Sequence, residues 1–327
     1  MRIGVVGVGH LGSLHTKMLS EMPEALLAGV FDLDEGKAHR VAAEFSTRSW
    51  RSIPELLGEV DAVTVATTTR AHFEVAFQAL EAGKHVFIEK PITRTVGEAD
   101  ELIRLAGRKS LLIQVGHIER FNPAILALDR YELRPMFVES HRLSQFNPRG
   151  TDVAVVLDLM IHDIDIILSF VKSPVARIDA SGVAVVSGST DIANARIQFE
   201  NGCVANVTAS RISQRRMRKM RLFQRDEYIS IDFAEGSAEV FRLINGEDTA
   251  DPGAMIMGEL GTGASRRKVL YERPEVKDVN ALRLELELFV RAMKKNEQPL
   301  VGGEDGKRAL EVAQIIMEKI SQQRLPE

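Results

Sequence analysis

The chain has 327 residues, of which 45% are hydrophobic and 27% charged, and its net charge is −4. That length accommodates two domains with well-filled cores, and the slightly acidic balance gives no general attraction to nucleic acid or to an anionic membrane. Cys203 is the one cysteine, which excludes an intramolecular disulfide and a cysteine-based metal site. The N-terminus does not read as a signal peptide, and no charge-free run reaches transmembrane length, so we expect a cytoplasmic protein.

The first part of the chain alternates strands with helices. The strand-like runs are RIGVVGVG, ALLAGVFD, DAVTVAT, HVFIEKP and LLIQVGH, and segments with helical spacing lie between them. These runs are apolar throughout rather than alternating, as in strands that are covered on both faces. We therefore predict an α/β domain at residues 1–121, with a doubly wound parallel sheet.

The pattern changes after Phe121, where Asn122-Pro123 marks a break. Several later runs alternate with period two, and Asn201-Gly202 lies between two of them, which is a strong hairpin signal. The segment GELGTGASRR, residues 258–267, is interpreted as a flexible loop, and two helices end the chain. This predicts a second, α+β domain at residues 122–327, with an open, mainly antiparallel sheet.

A glycine-rich loop follows the first strand. Gly7, Gly9 and Gly12 form the G-x-G-x-x-G pattern, directly after a strand and at the start of a helix. Gly7 allows a tight turn, Gly9 lets the backbone approach a pyrophosphate, and Gly12 lets helix and strand pack closely. The N–H groups at the start of the helix, at His10 and Leu11, favour an anion. The alternative is a strand–turn–helix without a ligand, which the position of the loop disfavours.

Asp32 ends the second strand, where an acidic residue accepts hydrogen bonds from the adenine ribose. A carboxylate at this place repels a 2′-phosphate, and no arginine follows in the next residues, LDEG. The sequence therefore favours NAD over NADP as the cofactor.

The segment FIEKPIT places Glu89, Lys90 and Pro91 at the carboxyl end of a parallel strand, where ligands bind in such sheets. Pro91 stiffens the turn, and Lys90 can reach into the crevice as a compact cation. Taken alone, a lysine at a strand end is more often a solvated surface residue.

Together, the glycine loop, VATTTRAHFEVA, GKHVFIEKP and a later D-x-x-x-H pattern resemble the Gfo/Idh/MocA oxidoreductases over nearly the whole chain. The resemblance implies a Rossmann domain that binds NAD(P), with Glu89 among the cofactor contacts, and a second domain whose open sheet holds a sugar, inositol or sugar nucleotide. It implies a catalytic and substrate-orienting role for Lys90 at the nicotinamide. It also implies a homodimer or homotetramer formed through the bare face of the second sheet.

One loop departs from the family pattern. Thr68 stands where family members often have proline, which leaves the rigidity of the loop open, although backbone contacts from Thr67 and Thr68 to the cofactor can persist. His72 matches a frequent family histidine. It can be a direct cofactor contact or a structural residue in the first turn of the following helix.

Residues 152–170 are interpreted as a buried helix interrupted by charges. Asp158, His162 and Asp165 fall at i, i+4 and i+7 and share one face, whereas Asp163 points away from them. Three interpretations compete: a metal site built from aspartate and histidine, a satisfied structural network, and an acid/base site. In the third, the histidine takes the proton of a hydroxyl, and a carboxylate one turn away orients the imidazole.

The family resemblance supports the acid/base interpretation. It implies that His162 is the general base and that Asp158 and Lys90 assist it, while Asp165 is a weaker correspondence. Met160 stands where the family commonly has glycine, and we expect it to narrow the substrate pocket.

The segments GHIERFNPA and RGTDVAVVLDLMIHDID resemble a subgroup of the family that oxidises the 3-hydroxyl of UDP-N-acetylglucosamine-type sugar nucleotides. A diphosphate substrate needs cations, and the candidates are Arg120, Arg142, Arg149 and the basic cluster at residues 211–221. For that cluster, a solvated sheet edge or a subunit contact is an equally good interpretation. It has no interleaved aromatic residues, so we predict no nucleic-acid partner.

Two classes of function remain open at this point. One is an NAD-dependent dehydrogenase of a sugar or sugar nucleotide, and the other is a non-catalytic NAD-binding sensor on the same fold. The presence of Lys90, Asp158 and His162 together favours the enzyme.

Overall fold

A computed structural model describes residues 1–147, 153–245 and 253–323 of the chain. It divides into two compact units. The first combines Met1–Ile118 with Asn280–Glu311, and the second combines Glu119–Val279 with Val312–Glu327. This corrects the predicted boundaries of 1–121 and 122–327, because residues 280–311 belong to the first unit.

The first unit contains a five-stranded parallel sheet. Its strands are β1 (Arg2–Val6), β2 (Leu26–Phe31), β3 (Ala62–Val65), β4 (His85–Glu89) and β5 (Ile113–Gly116). Their order in the sheet is β2-β1-β3-β4-β5, and a parallel bridge between Val30 and Ser49 extends it beyond β2. Strands β1, β3, β4 and β5 are almost wholly buried, and β2 is buried over its second half, which confirms the doubly wound parallel sheet predicted from their continuous apolar runs.

Five helices connect these strands: α1 (His10–Ser20), α2 (Glu35–Glu44), α3 (Ile53–Glu59), α4 (Thr69–Glu81) and α5 (Val96–Lys109). The side chains of Asp34, Ser52 and Thr95 cap the N-termini of α2, α3 and α5. Among these five helices of the described chain, α1 and α4 begin without a side-chain cap. They follow β1 and β3, the neighbouring strands where the chain order reverses, so their first N–H groups point towards the usual ligand crevice.

The helix α8 (Ala281–Lys295) completes the core of the first unit. Leu286 and Phe289 are fully buried in a cluster with residues of β1, β2 and α1, and the Phe289 ring lies 5.8 Å from that of Phe87. The chain after α8 also bonds to β5, since Val115 N–H donates to the Val301 carbonyl at 3.0 Å. These contacts are why a segment distant in sequence belongs to the Rossmann unit.

The last helix, α9, spans Gly303–Ser321. None of the helices in the described ranges is long and apolar enough to cross a membrane.

The second unit is built on a nine-stranded sheet. Its strands are β6 (Phe137–Leu143), β7 (Val175–Val183), β8 (Ile192–Phe199), β9 (Val204–Ser210), β10 (Met217–Gln224), β11 (Glu227–Asp232), β12 (Ser237–Asn245), β13 (Met255–Leu260) and β14 (Arg267–Glu272). Their order is β13-β14-β12-β11-β10-β6-β9-β8-β7, and every pair is antiparallel except β6 with β9. The predicted open, mainly antiparallel sheet is confirmed, as is the hairpin at Asn201-Gly202, where Gly202 has φ +87°.

The predicted flexible loop at residues 258–267 is wrong in its first and last parts. Gly258–Leu260 lie in β13, which pairs with β14, and a short 3₁₀ turn at Gly263–Ser265 joins the two strands. The glycines suggested a loop, but Gly258 lies inside β13, where the register with β14 shifts, and the strand is exposed along its whole length.

The helices of the second unit carry two of the candidate catalytic residues, Asp158 and His162. After the short helix α6 (Pro123–Leu126), a π-helical turn covers Val156–Met160 and continues directly into α7 (Ile161–Val171). The regular helix predicted for residues 152–170 is therefore interrupted by a wider turn. Such turns are frequent at functional sites.

Candidate active site

The glycine loop of the first unit has the geometry of a pyrophosphate cradle. Gly7 has φ +86°, a conformation that favours glycine. A Cβ atom on Gly12 would lie 1.8 Å from the Gly7 carbonyl oxygen, so no side chain fits there. A Cβ on Gly9 would meet nothing within 4 Å, which leaves open space where the backbone can approach a phosphate group.

The uncapped helices supply donors beside this loop. His10 and Leu11 are exposed at the first turn of α1, and no acidic residue lies in that turn. Thr68 is exposed as the N-cap of α4, and Thr67 before it is half-buried. The residues fit a dinucleotide, and the contacts predicted for these four residues stay predictions.

Asp32 braces the glycine loop from the end of β2. Its Oδ2 accepts from Val8 N–H at 2.8 Å, and its Oδ1 accepts from Asp34 N–H at 2.9 Å. Two backbone donors therefore fix the plane of the carboxylate at the end of β2.

Two glycine substitutions separate folding from cofactor binding. We expect Gly12→Ala to lower the free energy of unfolding by about 1–3 kcal/mol, because the new methyl group overlaps the Gly7 carbonyl. Gly9→Ala should leave the melting temperature unchanged yet weaken dinucleotide affinity roughly tenfold or more, because the methyl group fills the cradle. Calorimetric melting and fluorescence titration with NADH measure both effects. Unchanged NADH affinity in Gly9→Ala would argue against the cradle.

His72 links two loops of the first unit. Its Nδ1 lies 2.9 Å from the Pro91 carbonyl and its Nε2 lies 3.2 Å from the Thr67 carbonyl, and the ring is almost fully buried. Burial lowers the pKa of His72 by more than these carbonyls raise it. A neutral ring can donate to only one of these two carbonyls, but its burial between the two loops favours the structural alternative over the predicted direct cofactor contact.

The Glu-Lys-Pro turn ends β4 with one buried and one half-buried side chain. Glu89 is buried, its Oε1 lies 2.9 Å from His15 Nε2, and its Oε2 accepts from Lys90 N–H at 3.3 Å. Lys90 is half-buried at the carboxyl end of the sheet. Sequence reasoning missed His15, which lies three residues after Gly12 and carries no chemical signal of its own in the sequence.

In the second unit, Asp158 lies in the π-helical turn and His162 in the first turn of α7. Both are half-buried, whereas Asp163 and Asp165 on the same helix are buried. The polar stripe of three residues predicted from regular helical spacing is therefore reduced to two, Asp158 and His162. Met160 is fully buried and does not narrow a pocket as predicted.

A buried ion network holds α7 against the sheet. Arg142 on β6 donates from Nη2 to Asp163 Oδ1 at 2.7 Å and from Nη1 to Glu119 Oε1 at 2.7 Å. Burial lowers the pKa of Arg142, but the charges of Asp163 and Glu119 outweigh this and hold it above the ordinary value. Arg142 is only 3% exposed. The prediction that it binds substrate phosphate is therefore wrong, because two carboxylates already enclose it.

Arg120 forms a second pair with the same helix. Its Nε and Nη2 donate to the two carboxylate oxygens of Asp165 at 2.6 and 2.8 Å. This bidentate pair gives Asp165 a structural role in place of the predicted catalytic stripe. The pair also engages N–H groups of the Arg120 guanidinium that were expected to bind a phosphate group.

The basic cluster at residues 211–221 is divided between structure and surface. Arg211 is buried and donates to the Val153 carbonyl, just before the π-helical turn. Arg221 pairs with Glu139, and Lys219 pairs with Asp232. The cluster runs into β10, an interior strand, so the interpretation as a sheet edge is wrong. Arg149 lies outside the described residues.

Within residues 1–147, 153–245 and 253–323, no group of three or more histidine, cysteine, aspartate or glutamate side chains has an arrangement suited to a metal ion.

Comparison with known proteins bears on both units. The model of the oxidoreductase family with an NAD-binding Rossmann fold matches residues 1–117, and that of the GFO/IDH/MocA C-terminal domain matches residues 131–239. UDP-N-acetylglucosamine 3-dehydrogenase of Acidithiobacillus ferrooxidans is 38% identical over 314 residues, which cover 96% of this chain and 95% of that protein. Myo-inositol 2-dehydrogenase of Thermotoga maritima is 25% identical over 343 residues, covering 99% and 97% of the two chains.

A solved structure of the Acidithiobacillus ferrooxidans enzyme superposes with a TM-score of 0.88 at 36% identity, over 98% of this chain and 97% of that one. The two family models match both the glycine-loop unit and most of the open sheet, in chain order. With a relative at 38% identity over nearly its full length, these matches show that the chain belongs to the GFO/IDH/MocA family of oxidoreductases.

Proposed function

We propose that the protein is an NAD-dependent dehydrogenase that oxidises the 3-hydroxyl of a UDP-N-acetylglucosamine-type sugar nucleotide. The observation that carries this proposal is the 38% identity, over 96% of the chain, to an enzyme named for that reaction. The retained Lys90, Asp158 and His162 support a catalyst rather than a cofactor sensor.

Oxidation of a secondary alcohol removes a hydride from carbon and a proton from oxygen. A bound nicotinamide supplies the hydride acceptor. We assign the proton to His162, whose imidazole is suited to this transfer near neutral pH. The half-buried Asp158, one turn earlier in the chain, orients the ring and stabilises its cation. Lys90 stabilises the hydroxyl oxygen as its proton leaves, and His162 then releases that proton to water.

Exposed arginines near the start of β10 are better placed to bind the diphosphate of the substrate than Arg120 and Arg142, which pair with carboxylates. Arg215 and Arg216 are exposed at the end of the β9–β10 connection, and Arg218 on β10 is half-exposed with Glu119 at 3.9 Å. We propose that these side chains neutralise the phosphate charge. Arg149, which was also predicted to bind phosphate, lies outside the described residues.

The choice of NAD over NADP rests on Asp32. We expect Asp32→Asn to keep the hydrogen bond that braces the glycine loop, because the amide oxygen still accepts from Val8 N–H, and to lose the one from Asp34 N–H. Removing the charge should narrow the affinity difference between NAD and NADP roughly tenfold. Titrations with NADH and NADPH measure the ratio. An identical ratio in the two proteins would separate Asp32 from cofactor choice.

A panel of substrates tests the proposal that the substrate is a sugar nucleotide. The protein is mixed with NAD and, in turn, with UDP-N-acetylglucosamine, UDP-glucose, free N-acetylglucosamine and myo-inositol, and the absorbance of reduced nicotinamide is followed. We expect turnover with UDP-N-acetylglucosamine and at least a hundredfold less with the free sugar, because the free sugar lacks the charged diphosphate. Tight NAD binding without turnover on any compound would favour the sensor.

We also propose that the outward face of the nine-stranded sheet is covered by a second copy of the chain, in a dimer or tetramer. A row of aromatic rings crosses this face, with centroids 5.0–5.8 Å apart: Phe137, Phe223, Tyr228, Phe241 and Tyr271. Light scattering should give a multiple of the chain mass for the native protein and the monomer mass for Phe223→Asp. A native monomer would contradict this assembly.

A further inference from the structure

A buried histidine–glutamate pair lies beneath the Glu-Lys-Pro turn of the first unit. His15 in α1 is fully buried, and its Nε2 lies 2.9 Å from Glu89 Oε1. The His15 ring packs edge-on against the Phe87 ring, with 5.3 Å between the two ring centroids. Within the described residues, His15 Nδ1 has no hydrogen-bond partner. A second proton on the ring would therefore bury an unpaired N–H group, so the geometry favours a neutral ring that donates from Nε2 to Glu89.

The carboxylate of Glu89 is held ionised and in one place. Burial raises the pKa of Glu89, but the hydrogen bond from His15 and the positive charge and N–H group of Lys90 outweigh it, so the pKa lies below the ordinary value. On the β5 side, a Cβ atom on Gly116 would come within 2.9 Å of the carboxylate, so glycine makes the room that Glu89 needs. A neutral histidine leaves the pair with one net negative charge.

The position of this charge relates it to one half of the dinucleotide. Asp32 at the end of β2 marks the adenosine side of the point where the strand order reverses, so the other half of the dinucleotide lies over β3, β4 and β5. Glu89 ends β4. The nicotinamide ring carries a positive charge when oxidised and none when reduced, so a fixed negative charge on this side distinguishes the two forms.

We infer that the Glu89 carboxylate, held by His15, makes the protein bind the oxidised dinucleotide more tightly than it would without that charge, with a much smaller effect on the reduced form. This inference rests on the proposed function, since it requires a nicotinamide cofactor. Glu89 is the residue that acts on the cofactor by its charge, and His15 is a positioning residue that acts through Glu89.

The groups that face Glu89 come from three elements and the adjoining turn. His15 approaches from α1, Lys90 follows it in the chain, and His72 in α4 is close enough for the Glu89 charge to raise its pKa. Gly116 on β5 contributes no charge. Burial keeps the pKa of His72 below its ordinary value, so this ring is neutral near neutral pH.

The test is the ratio of the NAD⁺ and NADH dissociation constants, measured by calorimetric titration without substrate. In Glu89→Gln, we expect Kd for NAD⁺ to rise roughly tenfold relative to Kd for NADH, the effect of removing one charge at short range. Glu74→Gln removes an exposed carboxylate from α4 of the same unit, and it should leave the ratio as in the native protein. Equal changes for both forms in Glu89→Gln would overturn the inference.

A second variant keeps the test valid if Glu89→Gln does not fold. His15→Leu removes the hydrogen bond but leaves the carboxylate buried, so the pKa of Glu89 rises. At a pH above the new pKa the carboxylate is charged, and the native ratio of Kd for NAD⁺ to Kd for NADH should persist. At a pH below it this ratio should rise towards the value expected for Glu89→Gln. The native ratio should stay flat over the same range. A flat ratio in His15→Leu would contradict the positioning role.

These outcomes are separable from failure of the proposed function. A native protein that binds neither NAD⁺ nor NADH contradicts the dehydrogenase itself. A native protein that oxidises a UDP-sugar, but whose affinity ratio is unaffected by Glu89→Gln, contradicts only the role of the His15–Glu89 pair.

Discussion

Replacing His162 with alanine is expected to lower kcat by roughly a thousandfold, the usual contribution of a positioned acid/base group. His162 is the half-buried imidazole of the helix that also carries Asp158, and the neighbouring carboxylates Asp163 and Asp165 are occupied by arginines. NAD affinity should change less than twofold, because the glycine loop and Asp32 belong to the other unit of the chain. Steady-state kinetics and titration with NADH measure the two quantities separately.

A histidine outside the site provides the control. His39 is exposed on α2, with its Nδ1 2.7 Å from the Glu35 carbonyl, and His39→Ala should leave kcat within a factor of two. If His162→Ala turned over at the native rate, His162 would have no place in the mechanism. If it lost NAD affinity as strongly as turnover, its role would be structural rather than acid/base.

The second large effect concerns stability. Arg142→Met leaves Asp163 and Glu119 buried without their cation, and we expect the free energy of unfolding to fall by about 3–5 kcal/mol. Because Asp163 is adjacent to His162, turnover should fall as well. Denaturant titration of the purified variant measures the stability.

An exposed pair gives the matched comparison. Arg177 on β7 bonds to Asp179 at 2.8 Å, but both side chains are about half exposed or more. Arg177→Met should therefore change stability by less than about 0.5 kcal/mol. A loss below about 1 kcal/mol for Arg142→Met would mean that the buried network does not hold α7 in place.

Much of the first unit could be predicted from the sequence, because local patterns specify it. Continuous apolar runs identify doubly covered strands, and the glycine motif identifies the turn at Gly7 and the close contact at Gly12. The same logic could not assign α8 to this unit. The amphipathic pattern of α8 indicates that one face is buried, but not that Phe289 contacts Phe87, which lies about two hundred residues earlier in the chain.

The errors at the site have a common physical cause. Arg120 and Arg142 were expected to meet phosphate groups because the sequence shows their charge but not their partners. In the folded chain, Arg120 forms an ion pair with Asp165, and Arg142 forms one with Asp163. Regular helical spacing placed Asp165 beside Asp158 and His162, but a π-helical turn has no composition that distinguishes it from an α-helix. Ion pairs between distant segments form only in the folded chain, and they determine which charged side chains can still bind substrate or take part in catalysis.

The most direct measurement follows a deuterium atom. UDP-N-acetylglucosamine deuterated at carbon 3 of the sugar is incubated with the protein and NAD, and the reduced cofactor is isolated for mass spectrometry. Oxidation of the 3-hydroxyl transfers that deuterium as hydride, so we expect the reduced nicotinamide to carry the label. Unlabelled reduced nicotinamide would place the reaction at another carbon, and its complete absence would contradict a dehydrogenase of this sugar nucleotide.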